Sequence, residues 1–319
     1  MSEPRKHHYL PQFYLREFSL DGRGIFQINK RTGRFYGAQI KDTAAIRDFH
    51  EIDGDDVEDP QALEKKLAQV EGALAQGLGP LASEGLTNAE ARSAAIQFLA
   101  LMRLRVPAVK AHIVKHLEAT VRATAKILER QGNFPKPPDG LEKLLKVDSL
   151  QISIANWKCL EQMFRMAVEP DVLAILKGMR GTLYKAPFGT SFITSDQPVA
   201  FFHSGEGLPF GYGVGPITPG VEITLPMSSR LLLHLENTKL SDTEVLATTD
   251  QVNEFNRRTI VMADTYIFAS QAPEKVASAL APLASTFAGF RHESIEAGGG
   301  FLQLNRCLPV LPSAVAHNT

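Results

Sequence analysis

Gly181-Thr182-Leu183-Tyr184-Lys185-Ala186-Pro187-Phe188-Gly189-Thr190-Ser191-Phe192-Ile193-Thr194-Ser195-Asp196-Gln197-Pro198-Val199-Ala200-Phe201-Phe202 is where the chain changes character. Thr182 to Ala186, Ser191 to Thr194 and Val199 to Phe202 are short apolar or alternating runs cut by Gly and Pro, the pattern of strands joined by tight turns. Val221 to Leu225 and Arg230 to Leu235 continue it, which predicts a mostly antiparallel sheet. Beyond it, Asp250 to Met262 reads as a helix, Tyr266 to Ala269 as a strand, Pro273 to Leu283 as a helix and the tail after Gly300 as a last edge segment.

Upstream the periodicity is helical. Asp59-Pro60 reads as an N-cap and first turn, with Leu63, Leu67, Val70 and Leu74 recurring at helical spacing up to Gly77. Thr87-Asn88-Ala89-Glu90 has the form of a capping box ahead of an apolar-periodic run that extends past Pro107 to Gly132. Pro107 must kink or split that run, because it lacks an N–H and its ring clashes with the preceding turn. After the loop Gly132 to Gly140, a helix is expected from about Asp148 to Ala167. At the front, His7 and His8 precede a short helix opened by Pro11, with Leu15 and Phe18 on its buried face. Gly24 to Lys30 and Arg34 to Ala38 flank Arg31-Thr32-Gly33 as a hairpin. The expected fold class is therefore α+β: a helix-rich lobe with a long kinked helix pair (1–180) and a sheet-containing lobe (181–319), within one domain spanning 1–319.

The 319 residues, 44% hydrophobic and 22% charged, suffice for a sizeable core without staples. Cys159 and Cys307 have no CxxC or Cys/His spacing, which argues against a disulfide framework or structural zinc. Met1 to His8 is polar and no stretch reaches the roughly 20 apolar residues of a membrane span, so a cytoplasmic location is expected. The net charge of -1 hides asymmetry: seven Lys/Arg against two acids in Arg103 to Arg130, and eight acids against two Lys in Glu51 to Glu71. These runs read either as solvated faces or as a surface for a polyanion.

Four constellations could carry chemistry. His7 and His8, next to a helix N-terminus, would be held neutral, fit to act as a base or metal ligand. Asp196, in Thr194-Ser195-Asp196-Gln197-Pro198-Val199, either faces a cleft or closes an Asx-turn. Glu64 and Glu71 lie on one helix face, able to pair with Arg103 or Arg105 or to join His8 at a metal. Asn253 and Asn256, beside Arg257 and Arg258, make either a solvated face or a polar network. Gly211 to Gly215 lacks the following helix of a phosphate loop and reads as a mobile loop. His112 and His116 read as a basic solvated face.

The pattern His7-His8-x-x-Pro11-x-x-x-Leu15-x-x-Phe18, the hairpin, Leu63-Glu64 with Glu71, Arg103 to Pro107, Thr194-Ser195-Asp196-Gln197-Pro198-Val199, and Asn253 with Asn256 resemble the bacterial domain of unknown function 4238 over most of the chain. The resemblance implies a cytoplasmic, helix-rich α+β protein and carries no activity. It singles out His7, His8, Glu71, Asp196 and Asn256 from separate elements, the way a cleft is assembled. Two functions are expected to compete. One is a hydrolase of a phosphodiester or nucleic acid, with His8, His7, Asp196 and Glu71 catalytic, a divalent metal as cofactor, and Arg103, Arg105, Asn253 and Asn256 holding an anionic substrate. The other is a non-enzymatic ligand- or partner-binding effector module.

Overall fold

The computed structural model describes residues 5–54, 57–135, 147, 150–208, 213–297 and 300–313. The N-terminal part runs β1 (Lys6–His8), α1 (Gln12–Arg16), β2 (Gly24–Asn29), β3 (Phe35–Gln39), β4 (Ala45–Arg47), α2 (Ala62–Leu78), α3 (Leu81–Glu84), α4 (Ala89–Met102), α5 (Pro107–Arg130), α6 (Asn156–Ala167) and α7 (Pro170–Gly178). The rest runs β5 (Arg180–Lys185), β6 (Thr194–Ser195), β7 (Ala200–Phe202), β8 (Glu222–Pro226), β9 (Leu231–Glu236), β10 (Thr243–Leu246), α8 (Thr249–Met262), β11 (Tyr266–Ala269), α9 (Pro273–Leu280), β12 (Gly289–Ala297) and β13 (Gly300–Leu308). The class is α+β, as expected.

Strands β5 and β7 to β10 form a five-stranded sheet in the order β10-β5-β9-β8-β7, antiparallel except for β10 beside β5. A second sheet, β3-β2-β11-β6, draws strands from both halves of the chain. Its β2–β3 hairpin turns where expected: Asn29 Oδ1 accepts from the N–H groups of Arg31 and Thr32, and Gly33 takes the left-handed φ of +66° that the turn requires. The tail after Gly300 is an edge segment paired with β12 in an antiparallel hairpin. Of the Gly211 to Gly215 loop, residues 211 and 212 lie outside the described residues. Gly213 sits so close to the Cys307 backbone that a Cβ there would clash, and Val214 N–H bonds the Cys307 carbonyl at 2.8 Å, which ties this end of the loop to β13.

The long periodic run splits at Pro107 rather than bending. The proline disfavours the helical region for the residue before it, so Val106 is extended (φ -113°, ψ 151°) and caps α5, with Pro107 in its first turn. The break at 103–106 turns Arg105 inward, where the site needs it. α4 is buried along most of its length. Its N-cap is Asn88, whose side chain accepts from Ala91 N–H, while the Thr87 hydroxyl is spent on the Glu84 carbonyl; the Thr87 capping box does not form. Phe98 meets Phe13 and Tyr14 of α1 at ring distances of 5.5 and 5.4 Å, and Leu15 and Phe18 are fully buried beside them. Truncating a side chain as enclosed as Leu99 to alanine costs about 2–5 kcal/mol. The helix expected from Asp148 begins at Asn156; residues 148 and 149, and 136–140 of the preceding loop, lie outside the described residues.

Candidate functional site

His7 and His8 lie on strand β1, not at the mouth of α1, so a helix dipole does not govern them. β1 pairs with β4, His7 opposite Ile46, and the alternation of a strand sends His7 into the interior, fully buried, and leaves His8 half-buried. Past β4 the chain reverses at Asp48, a non-glycine residue at φ +56°, and brings His50 back under His7. The two imidazoles stack with centroids 5.7 Å apart and planes 9° from parallel, and Phe49 and Phe164 set their rings edgewise against His50.

Hydrogen bonds fix the protons. His50 N–H donates to His7 Nδ1 at 2.9 Å, so the His7 ring carries its proton on Nε2. His50 Nδ1 lies 2.6 Å from Glu64 Oε2 on α2, which places its proton on Nδ1 and leaves the Nε2 lone pair open. Burial holds the His50 imidazole down to about 4 despite the Glu64 carboxylate, and the nearby Arg105 charge pushes the same way. Both Nε2 atoms are buried and neither has a hydrogen-bond partner among the described residues, an arrangement that costs about 1–3 kcal/mol per group. One ring is thus an unused donor and the other an unused acceptor. One ligand atom each from His7, His50 and Glu64 lies within 4.8 Å of the others, a set that could hold a metal ion.

Two turns along α2 from Glu64, the Glu71 carboxylate accepts from Arg105 Nη1 at 2.6 Å, and Arg105 Nη2 donates to the His8 carbonyl at 2.7 Å. Arg105 is 1% exposed, a buried cation whose charge is matched by Glu71 and whose second arm clamps β1 in place. Burial lowers the His8 imidazole, and its Nε2 also lacks a partner. The structure therefore gathers His7, His8, Glu71 and Arg105, predicted as site residues, around His50 and Glu64. Arg103, on the same break, is partly buried, with its guanidinium lowered by burial and its Nε unpartnered.

Asp196 directly follows β6, and Asn253 and Asn256 lie on α8. Asp196 Oδ1 accepts from Asp264 N–H at 2.9 Å and Oδ2 from Thr265 and Tyr266 N–H, each at 2.8 Å. Burial lifts this carboxyl to about 6 against the pull of the three donors. Asn256 accepts from Ile193 N–H at 3.0 Å and donates to the Ser191 carbonyl at 2.9 Å, fastening α8 to the strand before Asp196. Asn253 is exposed and lines a cleft of about 1090 Å³ between α8 and α9.

Sequence reasoning missed His50, which lies in a non-periodic stretch with no motif around it; its partner Glu64 was visible through its shared face with Glu71. It also missed a second charged network, in which Arg258 donates to Glu222 at 2.5 Å and stacks 3.6 Å over Phe202. His112 and His116 are not a solvated face: they pack with His292 of β12, whose ring lies 6.3 and 5.4 Å away, and Asn305 bridges His116 and His292. Burial, then the neighbouring imidazoles, bring His112 down to about 4. Among the described residues, no helix is long and apolar enough to cross a membrane.

Fold and site together define an α+β protein built over a buried histidine–carboxylate centre. Residues 6–273 match the family described as "Protein of unknown function (DUF4238)", and the chain belongs to that family. No curated protein and no solved structure matches it. The matched stretch contains every residue of the His7–His50–Glu64 and Glu71–Arg105–His8 groups, whereas the cleft between α8 and α9 has one wall inside it and one beyond it.

Proposed function

We propose that the chain is a hydrolase whose general base is His50, held by Glu64, with His7 as the adjoining hydrogen-bond donor, and whose substrate is a phosphodiester. The single observation that carries this reading is the pair of buried imidazoles with opposite unused groups, a donor at His7 Nε2 and an acceptor at His50 Nε2. A water that accepts from His7 and gives its proton to His50 as its oxygen attacks phosphorus satisfies both; the P–O bond to the leaving alcohol breaks, and the His50 imidazolium, stabilised meanwhile by the Glu64 carboxylate, returns the proton to the departing alkoxide. A neutral base is available because burial keeps His50 unprotonated above about pH 4. Neither His7 nor His50 is exposed, so substrate reaches them past the partly exposed Glu64 and His8.

Arg105 acts as a positioning residue, since its Nη1 is held by Glu71 and its Nη2 by the His8 carbonyl. Exposed Arg5, Lys6, Lys41 and Arg47 around the β1–β4 ribbon favour an anionic substrate or a nucleic acid, although Asp42 and Asp48 pair with three of them. A divalent metal at His7, His50 and Glu64 requires His7 to give up its bond to His50 N–H before it offers a lone pair. The test is hydrolysis of bis(4-nitrophenyl) phosphate and of single-stranded DNA and RNA, with EDTA or with added Mg²⁺, Mn²⁺ or Zn²⁺. Wild type is expected to turn over one of these, and His50→Gln to lose about 10²–10⁴-fold in kcat. A wild type inert under every condition would sink the reading. The alternative, a non-enzymatic ligand-binding module, is favoured by the cleft between α8 and α9.

A further inference from the structure

The cleft between α8 and α9 belongs to neither the histidine centre nor the Asp196 site. At about 1090 Å³ it is at the upper end of the size that takes a whole small molecule. Its floor is apolar: Ile260 of α8, Val276 of α9 and Leu283 belong to the smaller core cluster under the second sheet, and continue that core out to the cleft surface. The titratable side chains that line it are both cations, Arg257 and Lys275, with no carboxylate among the lining residues. Arg257 is already bonded to Glu254 and to the Leu311 carbonyl. Lys275 is exposed and makes no hydrogen bond or ion pair among the described residues, so its charge is free for a ligand. Asn253, exposed on the opposite wall, offers a donor and an acceptor that no side chain or backbone group uses among the described residues. At the head of α9, Ala272 holds a left-handed φ of +51° without being glycine, a strained conformation of the kind that concentrates at ligand sites.

We propose that this cleft binds a small amphipathic anion, an apolar body seated on Ile260, Val276 and Leu283 with one acidic group directed to Lys275 and Asn253. The site goes beyond the hydrolytic reading and does not depend on it. An apolar body without charge would leave the lysine unmatched, and a polyanion without an apolar body would leave the floor uncovered.

The probe is 8-anilinonaphthalene-1-sulfonate, an aromatic anion, followed by fluorescence titration of the full chain. Displacement by decanoate is then compared with displacement by decanol. The expected result is one saturable site per chain, with decanoate displacing the probe at least tenfold better than decanol. Lys275→Glu should weaken both anions at least tenfold, and Asn253→Trp, which fills the cleft from an exposed position, should abolish the saturable phase. Circular dichroism melts of both variants should match wild type, because neither side chain is used by the fold. Equal displacement by decanoate and decanol, or unchanged binding in both variants, would overturn the proposal. Wild-type binding with no saturable phase would do the same.

Discussion

The His7–His50 centre and the Asp196 site are both buried, each holds a residue of one of the family-like sequence patterns, His7 in the first and Asp196 in the second, and they differ in what is left over. Around Asp196 every polar atom is spent: two carboxylate oxygens receive three backbone N–H groups, and Asn256 closes both ends of its amide on the neighbouring strand. Around His7 the bonds stop one short on each ring, leaving a donor and an acceptor with no partner among the described residues at two fully buried side chains. A satisfied network needs only the fold to explain it. An unsatisfied one keeps its cost in the folded state and directs attention to chemistry.

The comparison is sharpened first at Arg105, where the largest effect is expected. Arg105→Ala removes the buried partner of Glu71 and the clamp on the His8 carbonyl, and should cost about 3–5 kcal/mol in urea unfolding, with Arg105→Lys restoring only part of it. Asp196→Ala strands three partly buried N–H groups and should cost about 2–3 kcal/mol by the same measurement, without a specific effect on the histidine centre. His50→Gln keeps a donor for Glu64 but gives up the ring contacts with His7, Phe49 and Phe164, so it should cost about 1–2 kcal/mol in unfolding while hydrolysis falls far more. Should Asp196→Ala be mild and His50→Gln severe in unfolding, the contrast between the two regions would be reversed.

Acid should pull the two regions in opposite directions, so that in the wild type the two contributions largely offset each other. The folded His50 pKa, about 4, lies below its ordinary value of 6.5, so the unfolded chain takes up the proton first. The His50 contribution is fully present above about pH 6.5 and is lost as the pH falls towards 4. Asp196 runs the other way: its folded pKa of about 6 lies above the ordinary 3.8, so its contribution is fully present below 3.8 and is lost as the pH rises through 6. Denaturant midpoints between pH 4 and 6.5 should therefore rise less steeply with pH in His50→Phe than in wild type, and more steeply in Asp196→Asn.

Local patterns were legible wherever a period or a breaker residue set the backbone. The hairpin around Gly33, the break before Pro107, α8 and the strands after Gly181 follow from such signals. Elements held by tertiary partners were not: β1 and β4 are three-residue strands that exist because they pair with each other, and β10 is a parallel edge added to β5. The site shows the same division. Glu71 facing Arg105 could be read from helix faces and charge. His50 could not, because what recruits it is the strand pairing that buries His7 and the left-handed turn at Asp48. Asp196 was visible as a polar break between strands, but its three backbone donors come from residues 264–266, so it forms no local Asx-turn and instead ties the α8–β11 connection to the end of β6.

The most direct test is the protonation of the two rings, read from imidazole ¹⁵N chemical shifts in the intact chain across a pH titration. The account predicts His7 protonated at Nε2 and His50 at Nδ1 at neutral pH, with His50 gaining its second proton only near pH 4. Two rings in the same tautomer, or a His50 imidazolium already formed at pH 6, would remove the donor–acceptor pair and with it the proposed base.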